Sequence, residues 1–201
     1  MKLVLNKTSP YARLVLVTAH EAGLGERLEL IWAEPWNDPP ELLALNPLGK
    51  VPALLTDDGV ALVESTCICE HLVAHAANGA ALVPREPAAR TAMLRRLGLG
   101  RGAIDCAFGT VIQRRFGGNA DSPLAQRWLR ALPRTAGALE TVYAQRAPAA
   151  TPDLGDLAVA VAFDYIDFRL PEIRWRESAP HLARHVDAVR ERPSMQRTRP
   201  Q

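Results

Sequence analysis

The sequence lacks the features that mark secreted, disulfide-bonded or membrane-spanning chains. Its 201 residues include only three cysteines, Cys67, Cys69 and Cys106, an odd number without the spacing of a disulfide framework. No apolar run approaches the length of a membrane span, and the N-terminus has no long apolar stretch of the signal-peptide type. These absences predict a protein of the reducing cytoplasm.

A block of charge of one sign is also missing. The 24 Lys and Arg residues nearly balance the 22 Asp and Glu residues, and the arginines are interleaved with acidic residues along helical stretches. Nucleic-acid-binding proteins concentrate basic residues on one face, so nucleic acid is not an expected partner. The sequence also contains no GxGxxG fingerprint, Walker loop, GxSxG motif or HExxH motif.

Potential metal ligands are few and poorly grouped. Cys67, His71 and His75 recur every four residues and should share one helical face, a geometry that can bind a transition metal. No fourth ligand is evident, and apolar residues between them explain this helix as a packing element. His181 and His185 have the same spacing without a nearby cysteine, which predicts surface groups. No metal site is therefore expected.

The sequence does contain a change of pattern near residue 80. Before it, strand and helix signals alternate, whereas the remainder is helical. The first part is predicted to form strands at 2–5, 27–32, 51–56 and 60–63 and helices at 11–22, 41–45 and 65–77. Asp57-Asp58-Gly59 indicates a β-hairpin between the last two strands. The order β-α-β-α-β-β-α predicts a small sheet with both parallel and antiparallel pairing.

The second part is predicted to be an all-helical domain. The boundaries expected are a first domain at 1–78, a linker at 79–87 and a second domain at 88–201, with helices at 88–116, 123–146, 154–168 and 179–191. Asp153 precedes Asp156 by three residues at the start of an apolar run, which resembles a capping box. We assign this pair to folding rather than to chemistry.

The segment Thr8-Ser9-Pro10-Tyr11 places a hydroxyl where a strand turns into a helix. Ser9 occupies the position of a helix N-cap, and Pro10 suits the first helical position because its missing N–H would be unpaired there. A helix N-terminus carries partial positive charge and can hold a thiolate or another anion. Ser9 taken alone is best explained as a cap, and its position also makes it a candidate reactive centre.

Several segments together resemble bacterial glutathione S-transferases over nearly the whole chain. They are Thr8 to Arg13, Asn46-Pro47-Leu48-Gly49-Lys50-Val51-Pro52-Ala53-Leu54, Glu64-Ser65, the Asp153 to Asp156 cap and Arg192-Pro193-Ser194. The resemblance implies a thioredoxin-like α/β N-terminal domain, an all-α C-terminal domain and a homodimer. It also implies glutathione as co-substrate, a small electrophilic second substrate and a role in detoxification.

The resemblance assigns glutathione binding to a specific set of residues. These are Thr8, Ser9, Lys50, Val51, Pro52, Glu64 and Ser65. The Val51-Pro52 bond is expected to be cis and to expose the Val51 backbone to the peptide-like middle of glutathione. Ser65 would hold the γ-glutamyl carboxylate while Glu64 balances its ammonium group. Ser9 would donate a hydrogen bond to the sulfur, with Thr8 as its nearest rival, and lower the thiol pKa by roughly two units.

The electrophile pocket is expected at Tyr11 and, in the helical domain, at Arg101, Asp105 and Phe108. Glycines at positions 98, 100 and 102 weaken that helix by roughly 1 kcal/mol each relative to alanine, and they predict a bend or a wider pocket there. Two alternatives to the transferase remain. One is a non-catalytic binding or regulatory protein of the same architecture. The other is a glutathione-dependent isomerase or dehalogenase.

Overall fold

The computed structural model describes residues 1–117, 122–146 and 151–200. The chain divides into two compact units: the first combines Met1–Val83 with the segment that begins at Pro193, and the second is Pro84–Arg192. The expected division was different: the first domain ended at residue 78, and the C-terminal residues belonged to the helical domain. Part of the expected linker is also helical.

The first unit contains a four-stranded sheet. Its strands are β1 (Lys2–Leu5), β2 (Glu29–Trp32), β3 (Ala53–Leu55) and β4 (Ala61–Val63), in the spatial order β2-β1-β3-β4. β1 pairs parallel with β2 and antiparallel with β3, and β3 forms an antiparallel hairpin with β4. The predicted mixture of parallel and antiparallel pairing is confirmed.

Ten α-helices are found in the described part of the chain. They are α1 (Pro10–Glu21), α2 (Pro40–Leu43), α3 (Ser65–Ala74), α4 (Gly79–Leu82), α5 (Pro87–Phe116), α6 (Pro123–Ala144), α7 (Leu154–Arg169), α8 (Trp175–Ser178), α9 (Pro180–Arg190) and α10 (Pro193–Arg197). The helix α4 lies within the predicted linker. None of the helices in the described residues is both long enough and apolar enough to cross a membrane.

Alternating residues of β1 build the core of the first unit. Val4 packs with Leu42 of α2 and with Ala53 of β3. Leu3 and Leu5 project from the opposite face, because successive side chains of a strand alternate, and both are fully buried. The strand β1 is therefore buried on both faces although it is only four residues long.

The C-terminal segment completes the first unit through contacts with α1 and the turn after it. The Ser194 hydroxyl donates a hydrogen bond to Glu21 at 2.5 Å, and the Arg13 guanidinium donates to the Met195 carbonyl at 3.4 Å. Arg197 forms an ion pair with Glu26 at 3.2 Å. These contacts join residues more than 170 positions apart, which is why sequence order alone placed the segment in the wrong unit.

The second unit is organised around the packing of α5 against α7. A β-carbon added at Gly100 would lie 2.8 Å from the Ala158 carbonyl carbon and the Val159 nitrogen, whereas one added at Gly98 or Gly102 would meet nothing within 4 Å. Gly100 therefore permits two helix backbones to approach closely. The helix α5 runs unbroken for 30 residues, and the bend or wider pocket beside these glycines stays a prediction.

The predicted capping box begins α7. The Asp156 N–H donates to the Asp153 carboxylate at 3.0 Å, and the Asp153 N–H donates to the Asp156 carboxylate at 3.3 Å. Both carboxylates are buried and form ion pairs with Arg96 and Arg146. The pair thus belongs to a buried ionic cluster that joins α5, the end of α6 and α7.

His185 also belongs to this cluster, so its assignment as a surface group is wrong. Its ring stacks on Tyr143 with 4.1 Å between centroids, and its Nε2 lies 3.4 Å from the Asp156 carbonyl oxygen. Burial lowers the pKa of His185 below its ordinary value, and Asp156 opposes that shift. Burial and the neighbouring Asp156 raise the pKa of Tyr143.

Candidate functional site

The predicted glutathione-binding residues follow or precede strands at one end of the sheet. Val4, Ala53 and Val63 are neighbours across the strands β1, β3 and β4. Pro52 immediately precedes Ala53, Glu64 immediately follows Val63, and the turn that contains Ser9 follows β1. Because adjacent strands are about 4.8 Å apart, these three segments are brought to the same sheet end.

Ser9 caps α1 and keeps its hydroxyl proton available. The Ala12 N–H donates to Ser9 Oγ at 3.2 Å, so this oxygen accepts the capping hydrogen bond. Ser9 Oγ donates to no group within the described residues. One hydroxyl can accept and donate at the same time, and Ser9 can therefore cap the helix and donate to a ligand.

Thr8 differs from Ser9 because its hydroxyl already has an acceptor. Both the Thr8 N–H and its hydroxyl donate to the Asn6 side-chain oxygen, at 2.9 and 3.0 Å. The Thr8 proton is used to shape the turn before α1. Asn6 is a residue that the sequence analysis missed, although Asn is a common turn former that bonds the backbone two residues on.

The loop before β3 is organised by Asn46, which begins a segment that carries the family resemblance but had no predicted role. Asn46 is buried, its Nδ2 donates to the Lys50 carbonyl at 2.7 Å, and its Oδ1 accepts from the Leu48 N–H at 3.0 Å. Gly49 has a φ of +61°, which glycine adopts without steric penalty. The Lys50 side chain is exposed.

Val51 follows this loop and its peptide bond to Pro52 is cis. Within the part of the chain that the structure describes, neither the N–H nor the C=O of Val51 has a hydrogen-bond partner. An extended ligand backbone could therefore pair with both groups, as an added strand pairs with a sheet edge.

Glu64 and Ser65 begin α3, and Glu64, not Ser65, is the N-cap. The Glu64 carboxylate accepts hydrogen bonds from the N–H groups of Thr66 at 2.8 Å and Cys67 at 3.3 Å. The buried Ser65 hydroxyl donates to the same carboxylate at 3.1 Å. Glu64 has a φ of +71°, a conformation that costs a residue with a β-carbon about 1–3 kcal/mol and that clusters at binding sites.

The residues predicted for the electrophile pocket are distributed over both units. Tyr11 lies in the first turn of α1, and Arg101, Asp105 and Phe108 lie on α5. Arg101 and Asp105 form an ion pair across one helical turn at 3.3 Å. Their role toward a substrate stays a prediction.

A groove with a volume of about 340 Å³ opens beside Ser9 within the first unit. We call it the cationic groove, and its basic lining residues are Lys7, Arg13, His20, Arg197 and Arg199. The sequence did not predict this groove, because Lys7 and Arg199 are separated by almost the whole chain. The only signal was that Ser9, Arg13 and His20 share one face of the predicted first helix.

Of the three potential metal ligands that recur every four residues, Cys67, His71 and His75, only the two histidine rings are in contact. The His71 and His75 rings lie 4.2 Å apart between centroids, while Cys67 is exposed. Among the residues that the structure describes, no three His, Cys, Asp or Glu side chains are grouped so that they could hold a metal ion.

Comparison with known proteins identifies the family. Residues 8–75 match the glutathione S-transferase N-terminal domain, and residues 122–188 match the glutathione S-transferase C-terminal domain. The chain is also 30% identical over 205 residues to the uncharacterized GST-like protein YibF of Escherichia coli strain K12, covering 100% of this chain and 98% of that protein. The chain therefore belongs to the glutathione S-transferase family.

Solved structures agree with this assignment. A glutathione S-transferase from Methylobacillus flagellatus with glutathione bound is 32% identical, with a TM-score of 0.85 and coverage of 100% of this chain and 99% of that one. A glutathione transferase family member from Pseudomonas fluorescens Pf-5 with bound glutathione is also 32% identical, with a TM-score of 0.87 and coverage of 100% and 98%. The predicted thioredoxin-like domain followed by an all-helical domain is thus confirmed.

Proposed function

We propose that this protein is a glutathione transferase that activates the glutathione thiolate for addition to a small electrophile. Family membership and the glutathione-bound relatives support this function. The main supporting observation is a contrast between two adjacent hydroxyls. Thr8 donates to Asn6, whereas Ser9 accepts the capping bond and donates to no group among the described residues. Ser9 is the proposed donor to the glutathione sulfur.

The thiolate would be stabilised at this position by two effects. A free thiol has a pKa of about 8.5, so only a few per cent is ionised at neutral pH. The N-terminus of the twelve-residue helix α1 supplies partial positive charge, and the Ser9 hydroxyl supplies a hydrogen bond. Hydrogen bonds to charged groups contribute about 1.5–3 kcal/mol, which corresponds to a lowering of roughly one to two pKa units.

The rest of glutathione would bind along the same sheet end. The N–H and C=O of Val51 have no hydrogen-bond partner among the residues that the structure describes, and we propose that they pair with the cysteinyl backbone, beside Pro52 and Lys50. Glu64 and Ser65 are proposed to bind the γ-glutamyl end, where the carboxylate and hydroxyl are already held at the start of α3. This assigns glutathione binding to the first unit.

Arg101, Asp105 and Phe108 on α5, and Tyr11 on α1, are each proposed as candidate contacts of the electrophile. The ion pair between Arg101 and Asp105 would fix the direction of both side chains on α5. A homodimeric assembly, a cytoplasmic location and a role in detoxification are proposed from the family resemblance. Glutathione is the proposed co-substrate and no metal is invoked.

The decisive experiment compares Ser9→Gly with Thr8→Val in the conjugation of 1-chloro-2,4-dinitrobenzene. Glycine is tolerated at an N-cap with a loss of only a few tenths of a kcal/mol, so Ser9→Gly removes the hydroxyl with little change in helix stability. We expect kcat/KM at neutral pH to fall about 10- to 100-fold in Ser9→Gly and its pH profile to move upward by roughly one to two units. Thr8→Val should retain the wild-type profile.

Three results would contradict this assignment. A displaced pH profile in Thr8→Val with an unchanged profile in Ser9→Gly would identify Thr8 as the donor. Retention on immobilised glutathione without conjugation of any electrophile would favour a binding or regulatory protein instead of a transferase. Absence of binding at millimolar glutathione would reject both.

A further inference from the structure

Asn6 begins the turn that joins β1, which ends at Leu5, to α1, which begins at Pro10. Its side-chain oxygen accepts hydrogen bonds from the Thr8 N–H at 2.9 Å and from the Thr8 hydroxyl at 3.0 Å. Its backbone carbonyl accepts from the Ser9 N–H at 3.5 Å. Asn6 therefore contacts both of the residues whose hydroxyls are candidate donors to the glutathione sulfur.

The groups on its two sides determine which way the Asn6 amide points. The Thr8 N–H can only donate, so it must face the amide oxygen of Asn6 and not the amide nitrogen. On the other side, the amide nitrogen lies 3.5 Å from a carboxylate oxygen of Glu34, which accepts hydrogen bonds. Both neighbours require the same orientation. Asn6 thus presents an acceptor to the Thr8 hydroxyl.

This orientation restricts what the Thr8 hydroxyl can do. A hydroxyl has one proton and donates to one acceptor at a time, so Thr8 must break its bond to Asn6 before it can donate to a ligand. Ser9 has no corresponding bond to break. Its oxygen accepts from the Ala12 N–H at 3.2 Å, and its hydroxyl donates to no group in the described part of the chain.

The difference between the two hydroxyls can be expressed as a ratio. The net contribution of one neutral hydrogen bond corresponds to a factor of about two to twelve in an equilibrium constant. The bond from Thr8 to Asn6 therefore disfavours Thr8 as a donor to a ligand by about this factor relative to a hydroxyl that is not engaged.

We propose that Asn6 is a positioning residue that makes Ser9, and not Thr8, the hydrogen-bond donor to the glutathione sulfur. This inference rests on the proposed function. Asn6 would act through the Thr8 hydroxyl and not through contact with the sulfur. Without the Asn6 side-chain oxygen, the Thr8 hydroxyl is released, and the turn then offers two hydroxyl donors where the wild-type turn offers one.

The test measures the effect of Ser9→Gly with and without the Asn6 oxygen. The readout is the pH profile of kcat/KM for conjugation of 1-chloro-2,4-dinitrobenzene. In the wild-type background, the expected loss is about 10- to 100-fold. In the Asn6→Ala background, the released Thr8 hydroxyl should replace part of the missing bond, so the loss should be about two- to tenfold smaller. Adding Thr8→Val to that double variant should restore the full loss.

Three control variants separate this role from a general effect on the turn. Asn6→Gly also lacks the side-chain oxygen and should behave as Asn6→Ala does, because turns accommodate glycine readily. Asn6→Asp keeps an oxygen for both Thr8 bonds and adds negative charge. Its pH profile should move upward, but Ser9→Gly should still cause the full loss in it. Glu34→Ala removes only the bond on the other side of Asn6 and should keep the wild-type response.

The combined results either support the inference or overturn it. A smaller loss in Asn6→Ala or Asn6→Gly that Thr8→Val restores supports it. Equal losses from Ser9→Gly in wild type and in both of these variants overturn it while the transferase stands, because Asn6 would then have only a structural role. A smaller loss that Thr8→Val does not restore, or one that also occurs in Asn6→Asp, overturns it as well. Absence of conjugation by wild type, or an unchanged profile in Ser9→Gly alone, overturns the proposed function together with the inference.

Discussion

Gly98 and Gly100 lie two residues apart on α5 but should respond in opposite ways to replacement by alanine. A β-carbon at Gly98 meets no atom within 4 Å, whereas one at Gly100 lies 2.8 Å from two backbone atoms of α7, the Ala158 carbonyl carbon and the Val159 nitrogen. Backbone atoms cannot rotate away as a flexible side chain can. Gly100→Ala must therefore separate the two helices locally.

Two effects determine the expected changes in the free energy of unfolding. Replacing glycine by alanine within a helix stabilises it by about 0.5–1 kcal/mol, and this gain applies to both positions. Overpacking a tightly packed interface costs about 1–3 kcal/mol, and this penalty applies only to Gly100. The free energy of unfolding should thus rise slightly in Gly98→Ala and fall in Gly100→Ala, with a difference of about 1–3 kcal/mol between the variants.

Urea denaturation followed by far-ultraviolet circular dichroism measures this difference. Gly102→Ala serves as a second control, because its added β-carbon also meets nothing within 4 Å. If Gly100→Ala is as stable as Gly98→Ala and Gly102→Ala, the close approach of α5 and α7 is refuted. The three glycines would then need an explanation other than helix packing.

Three further predictions concern the buried cluster and the loop before β3. Asp156→Asn should lower the free energy of unfolding, measured by urea denaturation, by about 3–5 kcal/mol. The change removes the buried negative charge that pairs with Arg96 and Arg146, so their positive charges are no longer balanced. His185 has a lowered pKa in the folded protein, so its stabilising neutral form is present above the unfolded value of about 6.5 and is lost as pH falls below it. In His185→Gln, the free energy of unfolding should therefore decrease less between pH 7 and pH 5 than it does in wild type. An equal decrease in both proteins would exclude His185 as the cause of the pH dependence. Asn46→Ala removes the support of the Lys50 carbonyl and should raise KM for glutathione with a smaller change in kcat, whereas an unaltered KM would show that the loop holds without it.

The local elements could be predicted because their causes are local. The signals for these elements each act within a few residues: the short apolar run of β1, the Asp-Asp-Gly turn between β3 and β4 and the proline after Ser9. The capping box at Asp153 is also local, since its two residues are three positions apart. Short-range signals therefore predicted the strands, the long helices and the candidate residues on them.

Long-range proximity accounts for what could not be predicted. His185 has the spacing of a surface residue, but the packing of α9 on α6 places its ring against Tyr143. The three glycines of α5 look alike in sequence, and only the position of α7 distinguishes Gly100 from the other two. Neither property depends on neighbouring residues in the chain.

At the proposed thiolate site, the sequence by itself determined the helix start, the pair of adjacent hydroxyls and the order of the glutathione-binding segments. It left Thr8 and Ser9 equivalent as donors. The tertiary structure separated them, because the turn directs the Asn6 oxygen to the Thr8 hydroxyl and leaves the Ser9 proton available. It also brought Arg197 and Arg199 to the groove beside Ser9, since a charge acts through distance in space and not through distance along the chain.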